Sequence, residues 1–224
     1  MSAKKKPAKS DGAGPSAAAR GQRAMVLTRP TVLASRNAHK VAEVKRILAK
    51  SGLDIELVGL DELDRDIPDV AETGATFAEN ALIKAQAVFS ATGLATIADD
   101  SGLCVDALNG MPGVLSARWS GGHGDDSANL DLVLDQIADV PPERRGARFV
   151  AAVACVCPGA DPAVVHGSVD GSLLFERRGE GGFGYDPIFV PTGYDRTTAE
   201  LPPEQKDALS HRGNALRELA AKLR

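Results

Sequence analysis

Short apolar segments alternate with amphipathic helical segments along this chain, and this alternation limits the folds that it can adopt. Apolar residues recur at helical spacing in four segments, residues 41–48, 77–88, 130–137 and 209–223. A run of strand length precedes the first of these segments at 31–34, and another lies between the second and the third at 93–98. The runs 147–156 and 163–169 flank a Pro-Gly-Ala-Asp-Pro turn. Helix-linked strands together with a hairpin predict an α/β fold, with a mixed sheet and helices on its faces.

Composition excludes several classes of protein. The chain has 224 residues, 43% hydrophobic and 25% charged, which is ordinary for a globular protein with one large core or two small lobes. No apolar run approaches the roughly 18 residues of a membrane helix, so no membrane association is expected. Residues 1–29 are rich in Ala, Gly, Lys, Ser and Pro, which predicts a disordered basic tail before a domain at 30–224.

Charge and cysteine content further restrict the class of ligand and the cellular compartment that are expected. Residues 1–24 hold six Lys/Arg and one Asp, so the rest of the chain has 20 basic and 29 acidic residues. This acidic body argues against nucleic-acid binding. The three cysteines (Cys104, Cys155 and Cys157) cannot all pair with one another, and no secretory signal precedes Met25. Reduced thiols in a cytoplasmic protein are therefore expected.

Two adjacent carboxylates, Asp99 and Asp100, follow the apolar run 93–98 and precede Ser101 and Gly102. This order places the acids at the carboxyl end of a predicted strand, just before a turn at the glycine. Ligands of α/β sheets usually bind at such strand ends. Carboxylate oxygens suit Mg²⁺, which prefers oxygen ligands. The alternative is that both acids only cap the turn, as Asp and Ser often do.

A phosphate site is indicated where Ser35-x-Asn37-x-x-Lys40 joins the first strand to the first helix. A helix N-terminus presents free N–H groups and a partial positive charge, and Lys40 adds a cation. The alternative is an ordinary N-cap, for which Ser and Asn are preferred. Glu72, just before the second helix, either supplies a further metal oxygen or merely favours that helix's dipole.

Two later segments suit a flat base. Residues 181–187 combine glycines, two aromatic residues and Asp186, a composition suited to stacking on a base or, alternatively, to a tight turn into a strand. Lys206 and Ser210-His211-Arg212-Gly213 crowd three potentially cationic groups near the positive end of the last helix. An anionic ligand would relieve that crowding, which favours a binding role over a solvated face.

In their order along the chain, these motifs resemble those of the inosine triphosphate pyrophosphatases, the non-canonical purine nucleoside triphosphate (dITP/XTP) pyrophosphatases. The resemblance extends from about Val32 to the C-terminus and includes five motifs, Ser35-x-Asn-x-x-Lys40, Glu72-Thr-Gly with Phe77-x-Glu-Asn80, Ala98-Asp-Asp-Ser-Gly102, Gly182-Phe-Gly-Tyr-Asp186-Pro, and Lys206 with Ser210-His-Arg-Gly213. It implies an elongated mixed β-sheet flanked by helices, with two lobes and a central cleft. It also implies a homodimer.

The same resemblance implies a reaction and a role for each motif. The reaction is hydrolysis of ITP, dITP or XTP between the α and β phosphates, giving the monophosphate and pyrophosphate. Asp100 would be the catalytic proton acceptor and, with Glu72, a ligand of the implied cofactor Mg²⁺. The implied substrate-binding residues are Ser35, Arg36, Asn37, Ala38, His39, Lys40, Ser101, Phe183, Gly184, Tyr185, Asp186, Lys206, His211 and Arg212.

Three functions remain open from the sequence. A 6-oxo purine presents an acceptor where adenine presents an amino donor, so donors near Asp186 or on Arg212 would favour deaminated purines. A Maf-like pyrimidine nucleotide pyrophosphatase has a similar architecture, but the Asp186 and His211-Arg212 motifs argue against it. A nucleotide-binding module without turnover is the third possibility, and the intact acidic motifs argue against that one.

Overall fold

The computed structural model of the protein describes residues 25–53 and 55–223. Within these residues a six-stranded sheet has the strand order β2-β1-β3-β4-β5-β6. The strands are β1 (Thr31–Leu33), β2 (Leu57–Gly59), β3 (Thr96–Val105), β4 (Gly146–Val156), β5 (Ala163–Leu173) and β6 (Phe189–Pro191). The helices are α1 (Ala38–Ala49), α2 (Phe77–Thr92), α3 (Asp126–Gln136), α4 (Pro203–Leu209) and α5 (His211–Lys222).

The sheet is mixed, as predicted from the sequence. β1 pairs in parallel with β2 and β3, whereas β3, β4, β5 and β6 pair antiparallel in that order, so the predicted β4–β5 hairpin is confirmed. β1 ends at Leu33, opposite Ile97. Residues Asp99–Ser101 of β3 therefore pair with β4 on one side only and have no strand on the other among the described residues.

The sequence-based prediction that Asp99 and Asp100 end a strand before a turn is wrong. β3 continues to Val105 and pairs with β4 over its whole length. Gly102 lies inside the strand and does not end it. This position suits a glycine because another segment approaches its backbone closely. A Cβ at this position would lie 2.3 Å from Ser116 Oγ and 2.4 Å from the carbonyl oxygen of Gly113.

Helices cover both faces of the sheet. Side chains such as Ile97 and Val153 lie in a buried cluster with residues of α1 and α5, whereas Ala98 and Ala152 lie in a cluster with residues of α2. A third cluster, around Phe149, forms at the other end of the long strands. The core is thus divided along β3 and β4, in agreement with the two lobes that the resemblance implies.

Side-chain caps fix where three helices begin. Asn37 Oδ1 accepts from the backbone N–H of Lys40 (3.1 Å), and Thr76 Oγ1 accepts from that of Glu79 (3.2 Å). Ser210 has extended backbone angles (φ −64°, ψ 153°) and caps α5. The final helical pattern, predicted from residue 209, therefore begins at His211, after the separate helix α4.

The N-terminal part of the chain is described from residue 25. The predicted disorder of residues 1–24 lies outside the described residues. Met25 and Leu27 pack against the cluster formed with α1 and α5, and the hydroxyl of Thr28 accepts from Ala95 N (2.8 Å). The chain therefore joins the core before residue 30. Among the described residues, no helix combines the length and apolar character that crossing a membrane requires.

Candidate active site

Asp99 and Asp100 point to opposite faces of the sheet, because successive side chains of a strand alternate. Asp99 faces α1 and α5, where its Oδ2 lies 3.0 Å from Arg212 Nε and 3.5 Å from Lys40 Nζ. Asp100 faces α2, where its Oδ1 lies 3.3 Å from Lys84 Nζ. The two acids therefore have separate partners. They do not form one set of metal ligands, although their adjacency in the sequence suggested that they would.

Lys84 lies between two carboxylates on the α2 side. Its Nζ is 2.7 Å from Glu72 Oε1 and 3.3 Å from Asp100 Oδ1. Asn80, one turn earlier on α2, donates to Asp100 Oδ2 (3.1 Å). Burial raises the pKa of Asp100 despite the nearby Lys84 charge. Burial acts in the same direction on Glu72, but its cationic neighbours, Lys84 foremost, hold the pKa of Glu72 below its usual value.

Glu72 and Asp100 also fit a divalent cation. Their oxygens converge on one position, the one near which the Lys84 ammonium lies. Within residues 25–53 and 55–223, no group of three or more His, Cys, Asp or Glu side chains could hold a metal. Mg²⁺ is usually bound by one or two carboxylates, with phosphate oxygens and water as its other ligands. Two carboxylates therefore suffice if a triphosphate binds beside them.

The Ser35–Lys40 motif forms the start of α1. Asn37 Oδ1 is occupied as the N-cap acceptor, and Ser35 Oγ accepts from Asn37 N (3.2 Å). The N-cap interpretation of these residues is therefore confirmed. The helix N-terminus, with Ala38 exposed in its first turn, and Lys40 still lie at the wall of a groove. Burial lowers the pKa of Lys40, although Asp99 acts in the opposite direction.

Arg36 binds the loop that leads to Glu72. Its guanidinium lies 2.9 Å from Asp61 Oδ1 and 3.1 Å from Asp69 Oδ1, and it also donates to the carbonyl oxygen of Ile67. All three acceptors belong to one acidic segment. Arg36 thus connects the start of α1 to the opposite wall of the groove.

One groove of about 810 Å³ joins these groups. Four cationic side chains line it, namely Arg36, Lys40, Lys84 and Arg118. Arg118 Nη1 lies 3.4 Å from Glu72 Oε2. Asp69, Glu72 and Asp99 also line it, and Asp100 contacts the lining residue Lys84. A groove with several cations, beside two carboxylates suited to a divalent cation, is complementary to a triphosphate.

A second pocket adjoins the groove and contains Phe183. The ring of Phe183 lies 5.0 Å from Lys206 Nζ and 5.7 Å from Arg212 Cζ. The ring of His39 is stacked with it at a centroid distance of 6.0 Å. Asp186 Oδ2 accepts from Phe183 N (2.8 Å) and from Lys206 Nζ. The aromatic, acidic and basic residues predicted to enclose a base therefore do come together.

Tyr185 and His211 are both buried at this pocket. The Tyr185 hydroxyl donates to the carbonyl oxygen of Ser116 (2.8 Å), and burial raises the pKa of Tyr185. The His211 ring stacks on Phe149 at 4.9 Å, and its Nδ1 has no hydrogen-bond partner among the described residues. Burial lowers the pKa of His211 well below its usual value. Its imidazole is therefore neutral at pH 7 and can hydrogen-bond a ligand.

Side chains of the protein itself balance the positive charge of Arg212 at the start of the last helix. Arg212 Nη1 lies 2.7 Å from Glu43 Oε2, and Arg212 Nη2 donates to Ser101 Oγ (2.8 Å). With Asp99 on Nε, each guanidinium nitrogen donates to a protein oxygen. Burial would lower the pKa of Arg212, but Asp99 and Glu43 raise it. An anionic ligand is not needed to balance these charges, so that argument from the sequence is wrong.

Sequence reasoning gave no role to several residues of the site, namely Glu43, Asn80, Lys84 and Arg118. A signal existed for Glu43, an acid within the apolar face of the helix and three residues after Lys40. Asn80 and Lys84 likewise lie one turn apart on α2. Arg118 had no signal, because its position depends on the path of residues 113–118 around Gly102.

The buried, neutral His211 predicts a loss of stability in acid. Its folded pKa lies below the unfolded value of about 6.5, so the unfolded chain binds the extra proton first as pH falls. Stability is complete above pH ~6.5 and declines below it. Between pH 7 and 5.5 we expect His211 to reduce the free energy of unfolding by about 1 kcal/mol. Urea unfolding of the wild type and of His211→Gln measures this, and equal declines in the two proteins would contradict it.

The chain is similar to known proteins over most of its length. The sequence model of the Ham1 family matches residues 31–222. A dITP/XTP pyrophosphatase of Streptomyces coelicolor is 57% identical over 193 residues, 86% of this chain and 96% of that protein. A dITP/XTP pyrophosphatase of Mycobacterium tuberculosis is 56% identical over 201 residues, 89% of this chain and 98% of that protein.

Solved structures agree as well. The crystal structure of a nucleoside-triphosphatase (dITP/XTP pyrophosphatase) from Mycobacterium abscessus has 56% identity and a TM-score of 0.69, over 85% of this chain and 98% of that one. The structure of the Staphylococcus aureus Ham1 protein has 42% identity and a TM-score of 0.76, over 87% and 97%. The α/β fold class and the family resemblance are thereby confirmed, and the chain belongs to the Ham1 family.

Proposed function

We propose that the protein hydrolyses the non-canonical purine nucleoside triphosphates dITP, XTP and ITP to the monophosphate and pyrophosphate. Relatives named dITP/XTP pyrophosphatase are 56–57% identical to it. The observation that carries the proposal is that Lys40, Lys84 and Glu72 line one groove, that Asp100 contacts Lys84, and that the Phe183 pocket adjoins this groove. Phosphate-binding, acidic and base-binding groups are thus contiguous.

The residues divide the work of hydrolysis among them. The N-terminus of α1 and the cations Lys40 and Lys84 hold the triphosphate. Glu72 and Asp100 would hold Mg²⁺, which when bound neutralises phosphate charge and makes water more acidic. Asp100 accepts the proton of the attacking water as the α–β bridge bond breaks and pyrophosphate leaves.

Selectivity follows from the groups around the base. Phe183 offers a flat face, while Lys206 and the neutral ring of His211 offer donors. A 6-oxo purine accepts from such donors, whereas the 6-amino group of adenine leaves them unpaired. An unpaired buried polar group costs about 1–3 kcal/mol, which corresponds to discrimination of about fivefold to more than a hundredfold.

A substrate panel tests the proposal directly. Pyrophosphate release is measured from dITP, XTP and ITP, and from dATP, dGTP and dTTP for comparison, each with and without Mg²⁺. We expect the first three to react at least about fivefold faster than dATP, whose 6-amino group leaves the donors unpaired, and only with Mg²⁺. Preference for dTTP would contradict the proposal in favour of a pyrimidine nucleotide pyrophosphatase. Binding of dITP without pyrophosphate release would contradict it in favour of a nucleotide-binding module.

We also propose that the enzyme is a cytoplasmic homodimer. The family resemblance supports the dimer, and light scattering in solution would contradict it by giving the mass of a single 23.3 kDa chain.

The cytoplasmic location is supported by the cysteines. All three cysteines are free, and the Sγ atoms of the buried Cys155 and Cys157 are 3.7 Å apart. Free thiols suit a reducing compartment. Recovery of the native protein from a cell's secreted fraction would contradict this location.

A further inference from the structure

A glycine-rich segment, residues 179–186, carries Phe183 at the base pocket and is called the base-pocket loop below. Gly182 (φ +76°) and Gly184 (φ +62°) have left-handed backbone conformations that favour glycine. Glycine is also the residue that loses most conformational freedom on folding, so contacts must hold such a loop in one conformation. The position of Phe183 therefore depends on what the loop is bound to.

The hydrogen bonds that hold the backbone of the base-pocket loop include those from Gly181 N to Ala199 O (3.1 Å), from Phe183 N to Asp186 Oδ2 (2.8 Å) and from Gly184 N to Asp126 Oδ2 (2.9 Å). The second of these lies within the loop itself. The third joins residues 58 positions apart. It connects the residue after Phe183 to α3, at another part of the pocket wall.

Asp126 is available for this contact because it is not the N-cap of α3. The N-cap of α3 is the neighbouring Asp125, whose Oδ1 accepts from Ala128 N (2.9 Å). A carboxylate in the first turn of a helix is stabilised by the helix dipole. A charged acceptor also forms a stronger hydrogen bond than a neutral one. Asp126 thus combines a stable position with a strong bond to the loop.

We propose that Asp126 is a positioning residue for the purine base of the substrate. By holding Gly184, it keeps Phe183 where the ring can stack on the base. The proposal rests on the proposed function, since that function makes a purine the ligand of the pocket. Asp126 belongs to none of the five sequence motifs. It acts through the loop, so its removal weakens substrate binding much more than the hydrolytic step.

Steady-state kinetics with dITP and XTP test the proposal on three variants. For Asp126→Ala we expect KM to rise about tenfold while kcat stays within about threefold of the wild type. Asp126→Asn keeps an acceptor oxygen and should restore KM to within about threefold of the wild-type value. Asp125→Ala is the matched control, because it removes the cap of α3 but no contact to the loop. It should lower Tm and leave KM unchanged.

A second measurement does not depend on turnover. Hydrogen exchange of the backbone amides at 181–185 should become several-fold faster in Asp126→Ala, but not in Asp125→Ala. Unchanged KM and unchanged exchange in Asp126→Ala would overturn the proposal, as would an equal rise of KM in Asp125→Ala. If the wild type releases no pyrophosphate from any triphosphate, the proposed function fails. The exchange measurement then still decides whether Asp126 holds the loop.

Discussion

The Asp100→Asn variant should release pyrophosphate from dITP about 10³-fold more slowly than the wild type. The amide has nearly the size of the carboxylate, so the fold of β3 is retained. It cannot accept a proton from water, and it removes one of the two carboxylates that converge beside Lys84. Single-turnover pyrophosphate release at saturating dITP and Mg²⁺ measures the loss at the hydrolytic step itself.

The control for this variant is Asp170→Asn, the same substitution at an exposed carboxylate on β5. It should react at the wild-type rate. Calorimetry should also show that Asp100→Asn still binds dITP, because Lys40 and the N-terminus of α1 remain in place. Retention of more than about a tenth of the wild-type turnover would exclude Asp100 as the proton acceptor.

Gly167→Ala should destabilise the fold strongly. A Cβ at Gly167 would lie 2.1 Å from the carbonyl oxygen of His211 and 2.5 Å from Ala215 N, both in the backbone of α5. Backbone atoms cannot rotate away, so α5 must move off β5. We expect a loss of about 3 kcal/mol, a fall in Tm of about 10 °C, and a loss of turnover as His211 and Arg212 shift.

Thermal unfolding and pyrophosphate release from dITP measure both effects of Gly167→Ala. The matched control is Gly122→Ala, where an added Cβ meets no atom within 4 Å. The free energy of unfolding of that control should lie within about 0.5 kcal/mol of the wild-type value. A Gly167→Ala protein with wild-type Tm would show that α5 can adjust to the added methyl group, and would contradict the prediction.

The layout of the sheet was predictable because its signals are local. The periodicity of α1, α2 and α3 and the Pro-Gly turn between β4 and β5 can be read over short windows of sequence. The continuation of β3 through Gly102 was not predictable in this way. It depends on pairing with β4 and on the close approach of Ser116, contacts between segments that are distant in the sequence.

The sequence predicted which residues form the site, but not which of them contact one another. The motifs identified residues that do lie together at the groove and pocket, such as Lys40, Glu72 and Phe183. Which partner each acid has depends on strand register, which the motifs do not contain. Arg212, for example, contacts Glu43 across 169 positions. No local pattern indicated that Arg212 is bound by acids of the protein itself.

The alternation of side chains along β3 restricts how the length of this chain can change. Deleting one residue between Thr96 and Ala98 would turn Asp99 toward α2 and Asp100 toward α5, so each carboxylate would meet the other's cations. The turn between β4 and β5 is at the surface and carries no group of the site. Insertions and deletions among related chains are therefore compatible with that turn and incompatible with the first half of β3.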